Sequence, residues 1–350
     1  MKLLKKIVAI IITLSILTPS IFQIYITNFY SIQTVNTTNP IRVSLMFSNY
    51  NIASIKLLIK DMKKVEQENS KTVQYTFYDG KGSQNLQDTQ LIDIVNNKKA
   101  DIIAIDMVDV AHTKYAIDMI KAFNIPVIIM YNGDEKAVQS YERAFLARTN
   151  PADEGTLQGN IIVDAWNKNR ENMDKNKDNI LDYIIFIGSP DNIISTTRIK
   201  YSVLQINNNN IKSKRIAEKF YYYLPSQIKE DVYQFFLRFG NNIDLIITDE
   251  DSAAVNTVKT LQENGYNLGD KEKNIDVVGF GGIPEALDLI KIGAMTGTVP
   301  INTYNLANDF YKFELNLFND KNIIDGTNCT IDYTGKLITF PLEGVSVNLG

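Results

Sequence analysis

The chain has 350 residues, a length at which two domains of ordinary size are expected. With 45% hydrophobic and 22% charged residues it can bury ordinary cores, which excludes a disordered chain. The formal charge is -4, and because the first 41 residues hold three lysines and no acid, the remainder carries -7, which argues against a nucleic-acid footprint, since that would need a basic face. A single cysteine, Cys329, excludes an internal disulfide and any multi-cysteine metal site, and a single histidine, His112, excludes a zinc site built on two histidines.

Lys2, Lys5 and Lys6 precede Ile7–Leu17, eleven residues without a charge, and the apolar character resumes through Ile21–Ile26. Ile7–Ile26 thus gives twenty uncharged residues, close to the number that crosses a bilayer. The segment is read as an uncleaved signal anchor, with a cleaved signal ending at Thr18-Pro19-Ser20 as the alternative. The lysines place the start in the cytoplasm and the chain from Asn28 onward outside, at the outer face of the cytoplasmic membrane. No cysteine follows the apolar run, which excludes a lipoprotein anchor. Residues 1–27 form the signal or signal-anchor segment, and 28–40, ending in Pro40, form a linker.

From Ile41 short apolar runs alternate with amphipathic helical patterns. Val43–Phe47 predicts a strand, and Ile52, Ile55, Leu58, Met62 and Val65 then recur at three- and four-residue steps on one helix face. The strand of Val73–Tyr78, the helix of Leu86–Asn97, the strand of Ile102–Ile105, the helix of Tyr115–Phe123 and the strand of Val127–Tyr131 complete a first series. A break near Tyr131–Asn150 separates a second series. It comprises a helix at Gly155–Asn167, strands at Tyr183–Ile187 and Ile243–Ile247, a helix at Ser252–Gln262, a strand at Val277–Phe280 and a helix at Ile283–Ile290. Such alternation predicts an α/β protein of two doubly wound parallel sheets, with any ligand at the carboxyl ends of the strands.

The sharpest local signal is Asp174–Asp182, which carries side-chain oxygens at positions 1, 3, 5 and 9 and a backbone carbonyl, that of Ile180, at 7. A calcium ion needs six to eight such oxygens, although Asn179 stands where glycine is usual and no glutamate occupies position 12; a solvated polar loop is the competing reading. Gly279-Phe280-Gly281-Gly282 lacks the rest of a dinucleotide or P-loop motif and reads as a structural turn. His112 reads as a surface residue, Cys329 as a small buried hydrophobe and Trp166 as core. Tyr221-Tyr222-Tyr223 either stacks on a ligand or packs.

In Gln90–Asp93, Ala104–Asp109, Pro126–Ile128, Leu157–Gly159, Asp174–Asp178, Pro284–Leu287 and Asp325–Asn328 the chain from Ile41 to Gly350 resembles the galactose/glucose-binding proteins of the type I periplasmic-binding family. The resemblance implies two lobes joined by a three-strand hinge, crossing near Tyr131, Val299–Asn302 and Leu337–Phe340. Residues 41–131 with 301–338 would form the first lobe, and 132–300 with 339–350 the second. It also implies a Ca2+ site of Asp174, Asn176, Asp178, the carbonyl of Ile180 and Asp182, with Asp244 where the family has a distant glutamate.

For the ligand cleft the resemblance implies Asp106, Asn192, Arg198, Tyr223, Glu250 and Asn302. Asp106, Arg198 and Glu250 are expected to face one another, with Arg198 clamping a ligand or bridging the two acids. Three carboxylates of the family's cleft fall on Ile194, Gly281 and near Ile52, which predicts a weakened sugar site. The function implied is extracytoplasmic capture of a small polar ligand, most simply a monosaccharide, for an ABC permease, and not catalysis. A membrane-anchored sensor signalling to a partner such as a histidine kinase is the alternative.

Overall fold

The computed structural model describes residues 39–240 and 242–342. The anchor segment and nearly all of the linker therefore lie outside the described residues; among those described, no helix is long and apolar enough to cross a membrane. The strands of the first sheet are β1 (Ile41–Phe47), β2 (Val73–Asp79), β3 (Ile102–Ile105), β4 (Val127–Met130) and β5 (Ala144–Arg148), with the short β11 (Thr330–Ile331) and β12 (Leu337–Thr339) from near the C-terminus. Their order is β11-β12-β5-β4-β3-β1-β2, parallel except for the β11–β12 pair. The second sheet is wholly parallel, in the order β10-β9-β8-β6-β7, with β6 (Leu181–Ile187), β7 (Ser213–Phe220), β8 (Leu245–Thr248), β9 (Asp276–Gly281) and β10 (Gly297–Pro300).

The central strands read as apolar runs because both faces are covered: every residue of β3, β4, β6 and β8 is buried. Helices α1 (Ala53–Glu68) and α10 (Thr303–Phe318) cover one face of the first sheet, with Leu58, Met62, Phe310 and Phe313 in that core. Cys329 is buried in the same core. On the other face lie α2 (Gln84–Asn96), α3 (Thr113–Ala122) and the single turn α4 (Glu135–Val138), through Leu91, Ile117 and Val138. His112 stands just before α3, partly exposed, with its Nδ1 3.4 Å from Asp88.

In the second lobe, α5 (Pro151–Met173) and α6 (Ile193–Asn208) pack one face of the sheet, and Trp166 belongs to that core. Helices α7 (Pro225–Phe239), α8 (Asp251–Glu263) and α9 (Pro284–Lys291) pack the other. The contact of α5 with α6 is close enough that a Cβ at Gly155 would lie 2.2 Å from the carbonyl oxygen of Arg198. The helix carrying Arg198 is therefore seated on a glycine. The expected turn at Gly279–Gly282 is instead the end of β9: Gly279 and Gly281 lie in the strand, a Cβ on Gly279 would meet a carboxylate oxygen of Asp251 at 2.2 Å, and only Gly282, at φ 72, lies beyond it.

The crossing out of the first sheet does not fall at Tyr131. Strand β5 pairs with β4 on one side and β12 on the other, so the chain leaves the first lobe at Thr149-Asn150, and the expected break ran through a genuine strand. Its apolar content, Phe145 and Leu146 between Arg143 and Arg148, is too short to declare itself. The chain returns between Pro300 and Thr303. Leu337–Thr339 lies in the first sheet beside β5, which places Thr339 with the first lobe; residues 343–350 lie outside the described residues.

Candidate ligand site between the lobes

Strand carboxyl ends from both sheets meet around one cavity of about 780 Å³, where doubly wound sheets place their ligands. On the first lobe Asp106 follows β3, and its Oδ2 accepts the N–H of Ser48 at 3.1 Å. Burial lifts its carboxyl to about 6. Around it that wall mixes apolar Ile52, Met107 and Val110 with polar Ser48, Asn49 and Asn132. Tyr131 completes it, its hydroxyl pushed well up by burial.

The second-lobe wall is built on Arg198. Its Nε donates to Glu154 Oε2 at 2.8 Å, Nη2 lies 2.8 Å from the same oxygen, and Nη1 donates to the carbonyl of Asp249 at 2.6 Å. The guanidinium carbon sits 3.6 Å from the centroid of the Phe280 ring. Glu154, in the first turn of α5, accepts the hydroxyl of the hinge residue Thr149 on its other oxygen. Asp249 Oδ2 accepts the N–H of Gly188 at 2.9 Å, and Tyr221 Oη is 3.0 Å from Asp249 Oδ1 and 3.1 Å from Glu250 Oε1. Ser252 donates to Glu250 as well. Burial raises both carboxyls, and the neighbouring Asp249 charge adds to burial in lifting Glu250 to about 7.

Strand β7 runs directly into the three tyrosines. Tyr221 N–H and Tyr222 N–H donate to the carbonyls of Ile187 and Gly188 at 3.0 and 2.8 Å. Tyr222 and Tyr223 then take left-handed backbones, φ 48 and 59, a conformation that costs bulky side chains free energy and is retained where it aims a residue. Here it brings Tyr223 over Gly188, where a Cβ would lie 2.3 Å from the ring. Asn192 Nδ2 donates to Tyr223 Oη at 2.9 Å while its Oδ1 caps α6 through the N–H groups of Ile194 and Ser195.

Five of the six residues expected at the cleft, Asp106, Asn192, Arg198, Tyr223 and Glu250, line this cavity. Asn302 does not. It lines a separate cavity of about 310 Å³ at the hinge, where its Oδ1 accepts the N–H of Asn305 at 3.0 Å. Its neighbour Ile301 borders both cavities, so the hinge turns Asn302 away. Nor does Arg198 bridge Asp106 and Glu250, because its partners Glu154 and Asp249 belong to its own lobe. Glu154 and Asp249 escaped sequence reasoning: one looks like an ordinary helix-start acid, and the other stands beside the residue that was chosen.

Asp174–Asp182 forms a tight loop between α5 and β6. Asp174 accepts the N–H groups of Asp178 and Asn179 at 3.2 and 2.9 Å, and Asp178 accepts that of Ile180 at 2.8 Å. Asn176 accepts the Asp178 N–H at 3.0 Å, and Asn179 supplies the left-handed turn with φ 64. Asp244, buried at the base, accepts the N–H groups of Lys175 and Asp182 at 2.8 and 2.7 Å, and burial lifts it to about 7. Among the described residues no group of three or more His, Cys, Asp or Glu side chains is gathered to hold a metal ion. The donor chemistry nevertheless fits a hard cation, since Asp182 Oδ1 is buried without a hydrogen-bond partner. Asp244 fits less well, one acceptor site of each oxygen being engaged by the backbone.

Two parallel-sheet lobes with a cavity between their strand ends define a two-lobed solute-binding protein. The chain belongs to the periplasmic binding protein domain family, whose profile matches residues 43–321. These are extracytoplasmic binding proteins and not enzymes. The chain is 27% identical over 313 residues to the D-galactose/methyl-galactoside binding periplasmic protein MglB of Haemophilus influenzae, covering 88% of this chain and 91% of that protein. Among solved structures it resembles an ABC transporter periplasmic solute binding protein from Actinobacillus succinogenes with bound D-allose, at TM-score 0.71 and 16% identity over 89% of this chain and 98% of that one. A Bacillus halodurans ABC transporter solute binding protein with bound myo-inositol matches at TM-score 0.68 and 17% identity, over 82% and 92% of the two chains.

Proposed function

We propose that the protein captures a monosaccharide between its lobes and presents the closed form to an ABC permease, held at the outer face of the membrane by Ile7–Ile26. The family match across residues 43–321 carries the capture part of this reading, because a cavity walled by both lobes is the feature such a fold uses to bind; the attachment rests on the twenty uncharged residues Ile7–Ile26 alone. The relatives named for D-galactose, D-allose and myo-inositol support a cyclic polyol as the ligand class. Tyr223 supplies a ring face to the cavity, and Asp106, Asn192, Arg198 and Glu250 supply hydrogen-bonding groups for hydroxyls. Thermal melting against a panel of aldohexoses, pentoses and inositols tests it: at least one member should raise the midpoint, and Tyr223→Ala should abolish the rise. A panel without effect contradicts the reading.

We further propose that Asp174, Asn176, Asp178, the Ile180 carbonyl and Asp182 hold Ca2+, with Asp244 anchoring the base of the loop. The support is the loop's oxygen donors and the orphaned Asp182 oxygen. A ligand that binds only the folded state adds RT ln(1 + [L]/Kd), about 3 kcal/mol at a hundredfold excess over Kd. Calcium should therefore raise the melting midpoint of chelator-treated protein, and Asp178→Ala should remove the response. Equal midpoints in calcium and in chelator contradict the site.

A further inference from the structure

Helix α1 belongs to the first lobe, yet it meets the second in two ways. Ile55 and Leu58, with Ser54 and the N-cap residue Ile52, line the ligand cavity. Ala53 and Leu57 do not line it. Half-buried, they pack instead against the apolar core of the second lobe, a cluster to which α8 and α9 contribute Ala254, Ala286 and Ile290. Four residues apart, the two side chains project from the same side of the helix. The polar groups of the cleft make no such crossing: Asp106 is held by Ser48, Arg198 by Glu154 and Asp249, and Asn192 by Tyr223, each pairing within its own lobe.

An apolar contact has no directional requirement and favours whatever arrangement keeps it from water. Swinging the lobes apart about the hinge carries α1 away from the second lobe and returns both side chains to solvent. We propose that Ala53 and Leu57 form an interlobe latch, a pair of positioning residues that draws the lobes together before any ligand arrives. The latch does not depend on which ligand fills the cavity. The ligand-free protein then divides between open and latched forms, and apparent affinity scales with the latched fraction, because a ligand that needs both walls binds only that fraction. Affinity is thus set in part by two residues that lie outside the ligand cavity.

Pulsed dipolar spectroscopy on the ligand-free full chain reads the separation of the lobes, with spin labels at Tyr115→Cys on the first and Leu224→Cys on the second; both positions are exposed and Cys329 is buried. Ala53→Asp is the deciding variant. Position 53 opens α1, whose N-cap makes no side-chain hydrogen bond and whose first turn holds no acid, so an aspartate there favours the helix while placing a charge in the contact. It should lengthen the distance with an unchanged or higher urea midpoint. Leu57→Ala should lengthen it too, and Leu57→Met, which keeps the apolar volume, should keep the parent distance. Any aldohexose, pentose or inositol that binds the parent should bind Ala53→Asp about fivefold more weakly, the scale of the apolar area returned to water. Distances unchanged in both Ala53→Asp and Leu57→Ala overturn the latch and leave capture between the lobes standing. Lengthening in Ala53→Asp that comes with a fallen midpoint, or with undiminished affinity, overturns it as well.

Discussion

Arg198→Ala is expected to destabilise the second lobe by about 3–5 kcal/mol, the cost of leaving one member of a buried ion pair without its partner. Arg198 and Glu154 are 6% and 1% exposed, so solvent does little to screen the charge left behind. Glu154 would keep only the Thr149 hydroxyl, and the Asp249 carbonyl would lose the Nη1 contact. The double variant Arg198→Met with Glu154→Leu removes both charges and should recover most of that loss, since apolar replacement of a buried pair is often neutral or better. Urea midpoints of the two single variants and the double variant give the coupling directly. If the double variant loses as much as the singles combined, the pair does not act as a unit. The same substitution should abolish any ligand-induced rise in midpoint, because Arg198 lines the cavity and its helix end carries Asn192 beneath Tyr223.

The second large effect lies far from the cleft. Glu314 on α10 is fully buried in the first lobe, where Tyr75 Oη donates to its Oε2 at 2.7 Å and its Oε1 has no partner. Burial lifts its carboxyl from 4.5 to about 8, against the lowering effect of the Tyr75 bond. The folded state thus holds a proton that the unfolded chain releases at lower pH. The associated stability is fully present below the ordinary carboxyl range and is lost as pH rises through about 8, with a loss on the order of 3 kcal/mol by pH 7. Tyr75→Phe alone should destabilise, since it strips the one bond Glu314 has. Tyr75→Phe with Glu314→Leu should be more stable than wild type above pH 7 and flatter from pH 5 to 9. Superimposable wild-type and double-variant profiles would show that Glu314 does not titrate in this range.

Much of the fold was legible because buried parallel strands are written as apolar runs. Val43–Phe47, Ile102–Ile105 and Tyr183–Ile187 fall within or match β1, β3 and β6. Strand β5 was not legible, its only large apolar residues being Phe145 and Leu146 between Arg143 and Arg148, and β7, at its sheet's edge, exposes Lys214, Arg215 and Lys219 among half-buried residues. At the cleft, residues that follow strand ends, such as Asp106 and Glu250, could be placed from sequence alone. Partners on other elements could not: nothing in the local pattern ties Glu154 to Arg198, because that pairing depends on how closely Gly155 lets α6 approach α5. Asn302 lies outside the cleft cavity although its neighbours Ile301 and Thr303 both line it, so at a hinge one residue decides which cavity a side chain enters.

Capture by lobe closure is tested most directly by small-angle scattering of the protein with and without the panel member that raises its melting midpoint. Binding between the lobes predicts a smaller radius of gyration at saturation in the wild type and no change in Arg198→Ala under the same conditions. A ligand that binds with an unchanged radius, or that compacts both proteins equally, would contradict a site between the lobes.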